Sequence, residues 1–141
     1  MNAPLYTTAI LRLAASIPHL GRLDLAQGNA ELRSATCGSR ARVQVRLDDG
    51  GRVTELAQEV EACAFGQAAA TLMGAQAIGR DRREATKVVA ELMAWLAGDR
   101  DDPGSWPGLA ELALARPRTA RHGAILLPFR ALLAAIEDAA T

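Results

Sequence analysis

Cys37 and Cys63 are the only thiols in the chain, and both stand among small residues, in Ser34-Ala35-Thr36-Cys37-Gly38-Ser39 and Glu61-Ala62-Cys63-Ala64-Phe65-Gly66. Between them runs a stretch that reads as a β-hairpin, turning at Asp48-Asp49-Gly50-Gly51. Residue 50 is the midpoint of 37 and 63, so a hairpin folded there brings both thiols to its open end. Adjacent strands run about 4.7–4.9 Å apart, which predicts Cα atoms within roughly 10 Å on one side of the hairpin. Two thiols so placed can share a metal ion or form a disulfide.

Cys63 falls where a strand gives way to a helix. A helix N-terminus carries partial positive charge and unsatisfied N–H groups, which favour the thiolate, the form that binds soft metals or attacks sulfur. Cys37 precedes Gly38, whose backbone freedom lets a loop aim a side chain at an ion. Against this stands simple packing, because unpaired Cys is among the most buried residue types. Two thiolates are also not a complete shell. Tetrahedral zinc or an iron–sulfur cluster wants four protein ligands, or three with an open position. Ser39, Glu61, His19 and His122 are the remaining candidates. His122 lies in Arg118-Thr119-Ala120-Arg121-His122-Gly123-Ala124, a loop-to-helix junction like that of Cys63, although a lone His is more often a surface or capping residue. Arg116, Arg118 and Arg121 make either a small basic patch or a solvated face. The chain has no Gly-rich phosphate loop, HExxH, GxSxG or CxxC, so hydrolase and nucleotide chemistry lack their residues and no enzyme is expected.

The elements that must position these residues follow from periodicity. Ile10, Leu11, Leu13, Ala14 and Ile17 fit a helix over 6–17 that Pro18 stops. Asn29–Arg33 reads as a weak first strand. Val43, Val45 and Leu47 alternate with Arg42, Gln44 and Arg46, the pattern of a strand buried on one face. The return arm, Arg52–Ala62, switches the parity of its apolar residues between Val53 and Leu56, which predicts a bulge. A helix from Phe65 ends at Gly79. Asp81 with Glu84 resembles a capping box for the next helix, which stops at Gly98. Gly98–Pro107 is a loop, Pro107 opens a short helix through about Leu114, and a final helix spans roughly Leu127–Ala139 with Pro128 in its first turn. Strands precede helices, so the expected class is α+β: a small antiparallel sheet of about three strands covered by helices, in a single domain over 1–141.

Composition narrows the setting. The 141 residues carry 16 basic and 16 acidic side chains and are half apolar, which argues against disorder and against the electrostatic footprint of a nucleic-acid partner. No segment has the shape of a signal peptide or the roughly 18–20 apolar residues of a membrane span. A cytoplasmic protein is expected. Thiols are kept reduced there, so metal or catalytic use gains over a structural disulfide.

The motifs also resemble the NifU-like N-terminal domains, the U-type scaffolds of iron–sulfur cluster assembly. Thr36-Cys37-Gly38-Ser39 is similar to the family's Cys-Gly-Asp loop, and Cys63-Ala64-Phe65-Gly66-Gln67-Ala68-Ala69-Ala70 to its second cysteine at a helix start. The opening helix followed by Pro18-His19-Leu20-Gly21-Arg22-Leu23 is similar to the family's start, and the likeness extends over roughly 4–138. Two departures stand out. Ser39 replaces the Asp that helps make a bound cluster labile. The family's third Cys falls on Ala124 in a gapless reading, with Arg121 matching its basic residue. The resemblance implies a scaffold or carrier that binds iron, a labile [2Fe–2S] cluster or zinc through Cys37 and Cys63, with Ser39 or His122 or a partner's cysteine completing the shell. It implies a cysteine desulfurase and recipient proteins as partners. The alternatives are a degenerate interaction or regulatory module without a cluster, and a zinc-binding or thiol-transfer variant.

Overall fold

The structure, a computed structural model, describes residues 6–35 and 38–141. Helix α1 (Thr8–Ala14) is followed by strands β1 (Gly28–Arg33), β2 (Arg40–Leu47) and β3 (Val53–Glu61). Helices α2 (Ala64–Gln76) and α3 (Arg82–Leu96) come next. Two 3₁₀ segments, Leu109–Ala115 and Thr119–Arg121, lead into α4 (His122–Ala139). The sheet has the order β1-β2-β3 and is antiparallel throughout, the α+β arrangement the sequence predicts.

Alternation on β2 decides which side of the sheet is covered. Ala41, Val43 and Val45 are fully buried beneath the helices, while Arg40, Arg42, Gln44 and Arg46 occupy the opposite face. That outer face is a charge ladder. Arg40 bonds Glu31 of β1 at 2.8 Å and Glu61 of β3 at 2.7 Å, Arg42 pairs with Glu59, and Arg46 meets Glu55 at 3.1 Å. Register runs from Arg40↔Glu61 to Arg46↔Glu55 and then steps to Leu47↔Val53, leaving Thr54 as the extra residue of a bulge. The parity switch on β3 had this physical origin.

The helices close one core. Phe65 and Met73 of α2, Leu92 of α3, and Ile125, Phe129 and Leu132 of α4 are fully buried. Gln58 of β3, 1% exposed, ties three elements together: its amide donates to the carbonyls of Pro18 (3.0 Å) and Ala70 (3.1 Å). Helix α4 lies across β1, where the Asn29 N–H donates to Asp138 Oδ2 at 2.9 Å. Loop 98–107 is pinned rather than loose. The Trp106 indole donates to the Leu72 carbonyl at 2.9 Å, its ring meets Phe129 edge-on, and the Arg80 guanidinium sits 4.8 Å above it. No helix among the described residues is long and apolar enough to cross a membrane.

Several boundaries depart from the sequence expectation. Helix α1 is capped by Thr7 and ends at Ala14, after which the chain tightens, the Ser16 N–H donating to the Leu13 carbonyl at 3.0 Å. The segment after Pro107 is 3₁₀, entered through Gly108 at φ 87°. Helix α4 begins at His122, so Pro128 lies well inside it instead of in the first turn. The capping box at α3 is half made: Asp81 accepts from the Glu84 N–H at 2.9 Å. The Glu84 carboxylate instead bonds Arg80 at 2.8 Å and Arg52 at 3.2 Å.

Candidate metal centre

Cys63 is the N-cap residue of α2, with extended backbone (φ −65°, ψ 171°) and no side-chain hydrogen bond to the first turn. A Ser or Asp would close the cap with its oxygen; the half-buried Cys63 thiol does not. The sheet register explains how it arrives there. β3 ends at Glu61, opposite Arg40, and two residues later the chain turns into α2. Cys37 lies outside the described residues, so the predicted Cys37–Cys63 separation is not among the structure's distances. Its flanks are fixed: the Ser34 N–H donates to the Ser39 carbonyl at 2.8 Å and the Gly38 N–H to the Ser34 carbonyl at 3.1 Å. The β1–β2 connection is therefore closed by its own backbone, at the same end of the sheet as Cys63.

A third element meets these two. A methyl group built on Gly66, in the first turn of α2, would stand 3.2 Å from both the Cβ and the carbonyl oxygen of Ala124. One built on Gly123 would stand 2.9 Å from Ser34 Oγ. The start of α4 thus packs between the β1–β2 connection and the start of α2, and only small residues permit that approach. Pro128 matters here. It lacks the N–H that would bond the carbonyl four residues back, which is that of Ala124, the carbonyl turned toward Gly66. Periodicity within single helices carries no sign of this meeting; the small pair Gly123-Ala124 was its one trace in the sequence.

The other candidate ligands have occupations of their own. His122 Nε2 lies 2.9 Å from the carbonyl oxygens of both Ala115 and Arg116. Carbonyls only accept, so Nε2 carries the proton and donates, leaving Nδ1 as the one lone-pair nitrogen of the neutral ring. Glu61 is held by Arg40, whose hydrogen bond keeps its carboxyl below the ordinary carboxylate range. His19 is exposed in the left-handed region (φ 59°), its carbonyl accepting from the Gln58 N–H at 2.8 Å. Ser39 is buried at 3% exposure just before β2. Among the described residues, no three His, Cys, Asp or Glu side chains gather into a metal-binding group. A groove of about 620 Å³ between Gly50-Gly51 and Arg82, Arg83 and Lys87 lies at the tip of the hairpin, at the far end from Cys63.

Comparison with known proteins agrees with this architecture. The chain is 26% identical over 133 residues to the iron–sulfur cluster assembly scaffold protein IscU of Thermotoga maritima, covering 94% of this chain and 93% of that one. Among solved structures, the N-terminal NifU-like protein of Brucella abortus superposes with a TM-score of 0.90 at 29% identity, over 96% of this chain and 94% of that one. A scaffold protein assigned to the SUF system of Fervidobacterium islandicum shares the fold at 21% identity, with a TM-score of 0.84 over 94% and 96% of the two chains. The profile of the NifU-like N-terminal domain matches residues 5–104, well over half of the chain. This protein therefore belongs to the NifU-like N-terminal domain family.

Proposed function

We propose that this protein acts in iron–sulfur cluster assembly as a scaffold or carrier, holding iron or a labile [2Fe–2S] cluster as cargo through Cys37 and Cys63. The observation that carries this reading is the convergence of three elements at one end of the sheet: the β1–β2 connection that contains Cys37, the α2 start capped by Cys63, and the α4 start at Ala124. The chemistry is binding and transfer. The thiols supply ligands, sulfur comes from a cysteine desulfurase, recipient proteins take the product, and no substrate is turned over. Arg121, the residue before α4, makes no ion pair among the described residues and offers positive charge beside an anionic cluster. Zinc in place of iron suits the same thiolates. A cytoplasmic setting fits the use of reduced thiols.

Ala124 favours a second reading, an interaction module that has lost its cluster, because a buried methyl stands where the gapless reading puts the family's third cysteine. Elemental analysis and visible absorbance of anaerobically purified protein separate the two. Iron with a sulfide-to-iron charge-transfer band, lost in both Cys37→Ser and Cys63→Ser, is expected for the carrier. Metal-free protein that stays colourless after reconstitution, in wild type and in Ala124→Cys alike, would overturn it in favour of the module.

A further inference from the structure

Strand β1 stands at one edge of the sheet, and half of its backbone groups face away from β2. The Ser34 N–H donates to the Ser39 carbonyl at 2.8 Å, which sets the even-numbered residues toward β2 and the odd-numbered ones outward. Asn29 shows the outward direction: its N–H reaches Asp138 Oδ2 of α4 at 2.9 Å, so Asp138 closes the edge at that residue. At Glu31 and Arg33 the outward N–H and carbonyl groups have no backbone partner among the described residues. Such a row is a template for another strand. We propose that the strand it takes is β1 of a second copy of this chain, running antiparallel about a two-fold axis at Leu32.

Charge selects both the partner and the register. Outward residues bond only outward residues, so Glu31 lies opposite either Glu31 or Arg33 of the second copy. The first choice sets carboxylate against carboxylate, which is destabilising, and it calls on the Asn29 N–H that Asp138 already holds. The second sets Glu31 against Arg33 in both directions, and each of these residue pairs also exchanges its N–H and carbonyl bonds. Arg33 lacks such a partner within the chain. It makes no ion pair among the described residues and faces the like charge of Arg40 across the ladder, while Arg40 is taken by Glu31 and Glu61. Glu31 gives only Oε1 to Arg40, which leaves Oε2 for a second guanidinium. On the helix side Leu32, half-buried against the core, meets its own copy across the axis. Ala134, one turn before Asp138 and so on the same flank of α4, is small and half-buried, which leaves room for the second α4.

The test is sedimentation velocity of the whole chain at concentrations up to about 1 mM, enough to populate an interface with a millimolar Kd, together with amide hydrogen exchange. Wild type should dimerise, and exchange at Glu31 and Arg33 should slow in the concentrated sample while that at Asn29 stays the same. Glu31→Arg and Arg33→Glu, checked for folding by circular dichroism, should each weaken the dimer by about tenfold or more. An equimolar mixture of the two variants should recover it, because each supplies the charge the other lacks. A monomer at the highest concentration overturns the inference. So does a dimer that leaves the Glu31 and Arg33 amides unprotected, a dimer that both single variants keep, or a mixture that stays monomeric. If either variant fails to fold, amide exchange in wild type decides alone.

Discussion

Gly28 is the position where a single methyl group should do the most damage. It opens β1 directly under α4, and a Cβ built there would meet Ala139 Cβ at 2.8 Å and Ala139 N at 2.9 Å, with the Ala135 carbonyl oxygen closer still. Two of these three atoms belong to the α4 backbone, which cannot rotate away, so Gly28→Ala must push the helix off the strand. Overpacking of this kind costs about 1–3 kcal/mol, and contact with backbone places Gly28→Ala at the upper end. The stiffer unfolded chain returns roughly 0.4–1 kcal/mol, leaving a net loss of about 2 kcal/mol. For a domain of this size that lowers Tm by about 6–8 °C. Urea and thermal unfolding measure it, with Gly50→Ala as the control, where the nearest atom is Asp48 Oδ1 at 3.4 Å and a change within about 0.5 kcal/mol is expected. Asn29 amide exchange should quicken as well, because its N–H bonds Asp138 of the displaced helix. Equal effects of the two substitutions, or a loss below about 0.5 kcal/mol at Gly28, would refute the close-approach account.

Two further outcomes follow from the ion pairs and from His122. Arg80 holds the Glu84 carboxyl below its ordinary pKa of 4.5 through a hydrogen bond. A depressed folded-state pKa adds stability above the unfolded value that is lost as pH falls through the folded one; wild type should therefore exceed Glu84→Gln in unfolding midpoint at pH 7, and the gap should close below about pH 4. His122→Ala removes the donor to the Ala115 and Arg116 carbonyls and should cost about 1–2 kcal/mol while leaving reconstituted iron content unchanged. Loss of iron from a folded His122→Ala would make the imidazole a ligand.

The parts of the fold that were legible in the sequence are those in which one segment carries its own signal. Val43, Val45 and Leu47 announce β2 by alternation, the parity switch before Leu56 announces the bulge, and Asp81 marks the start of α3. Cys63 at a strand-to-helix junction was legible for the same reason. What stayed hidden depends on segments distant in sequence. The α4 start at His122 was obscured because Pro128 reads as a first-turn residue, and burial of Ile125 and Leu126 carries the helix back through Gly123 against its low propensity. Glu84 fits a capping box locally, but Arg52 and Arg80 take its carboxylate. The meeting of Gly66 with Ala124 and the anchoring of His122 have no local pattern at all. Those two features decide what the site can offer a metal.

The contact between α4 and β1 also bears on when the site comes into being. Asn29 and Asp138 are 109 residues apart, and the β1–β2 connection and the start of α2 are both synthesised long before α4. A chain growing on the ribosome at about 5–20 residues per second thus exposes Cys37 and Cys63 for several seconds before the helix that packs between their two segments exists. During that interval the hairpin and α2 can form, but Ser34 and Gly66 lack the surface that sets their spacing. Closure waits for a long-range contact, the kind that forms late because loop entropy must be overcome first. Nascent chains therefore carry Cys63 without its final packing, and in the proposed carrier role ordered capture of metal would wait until synthesis has passed α4.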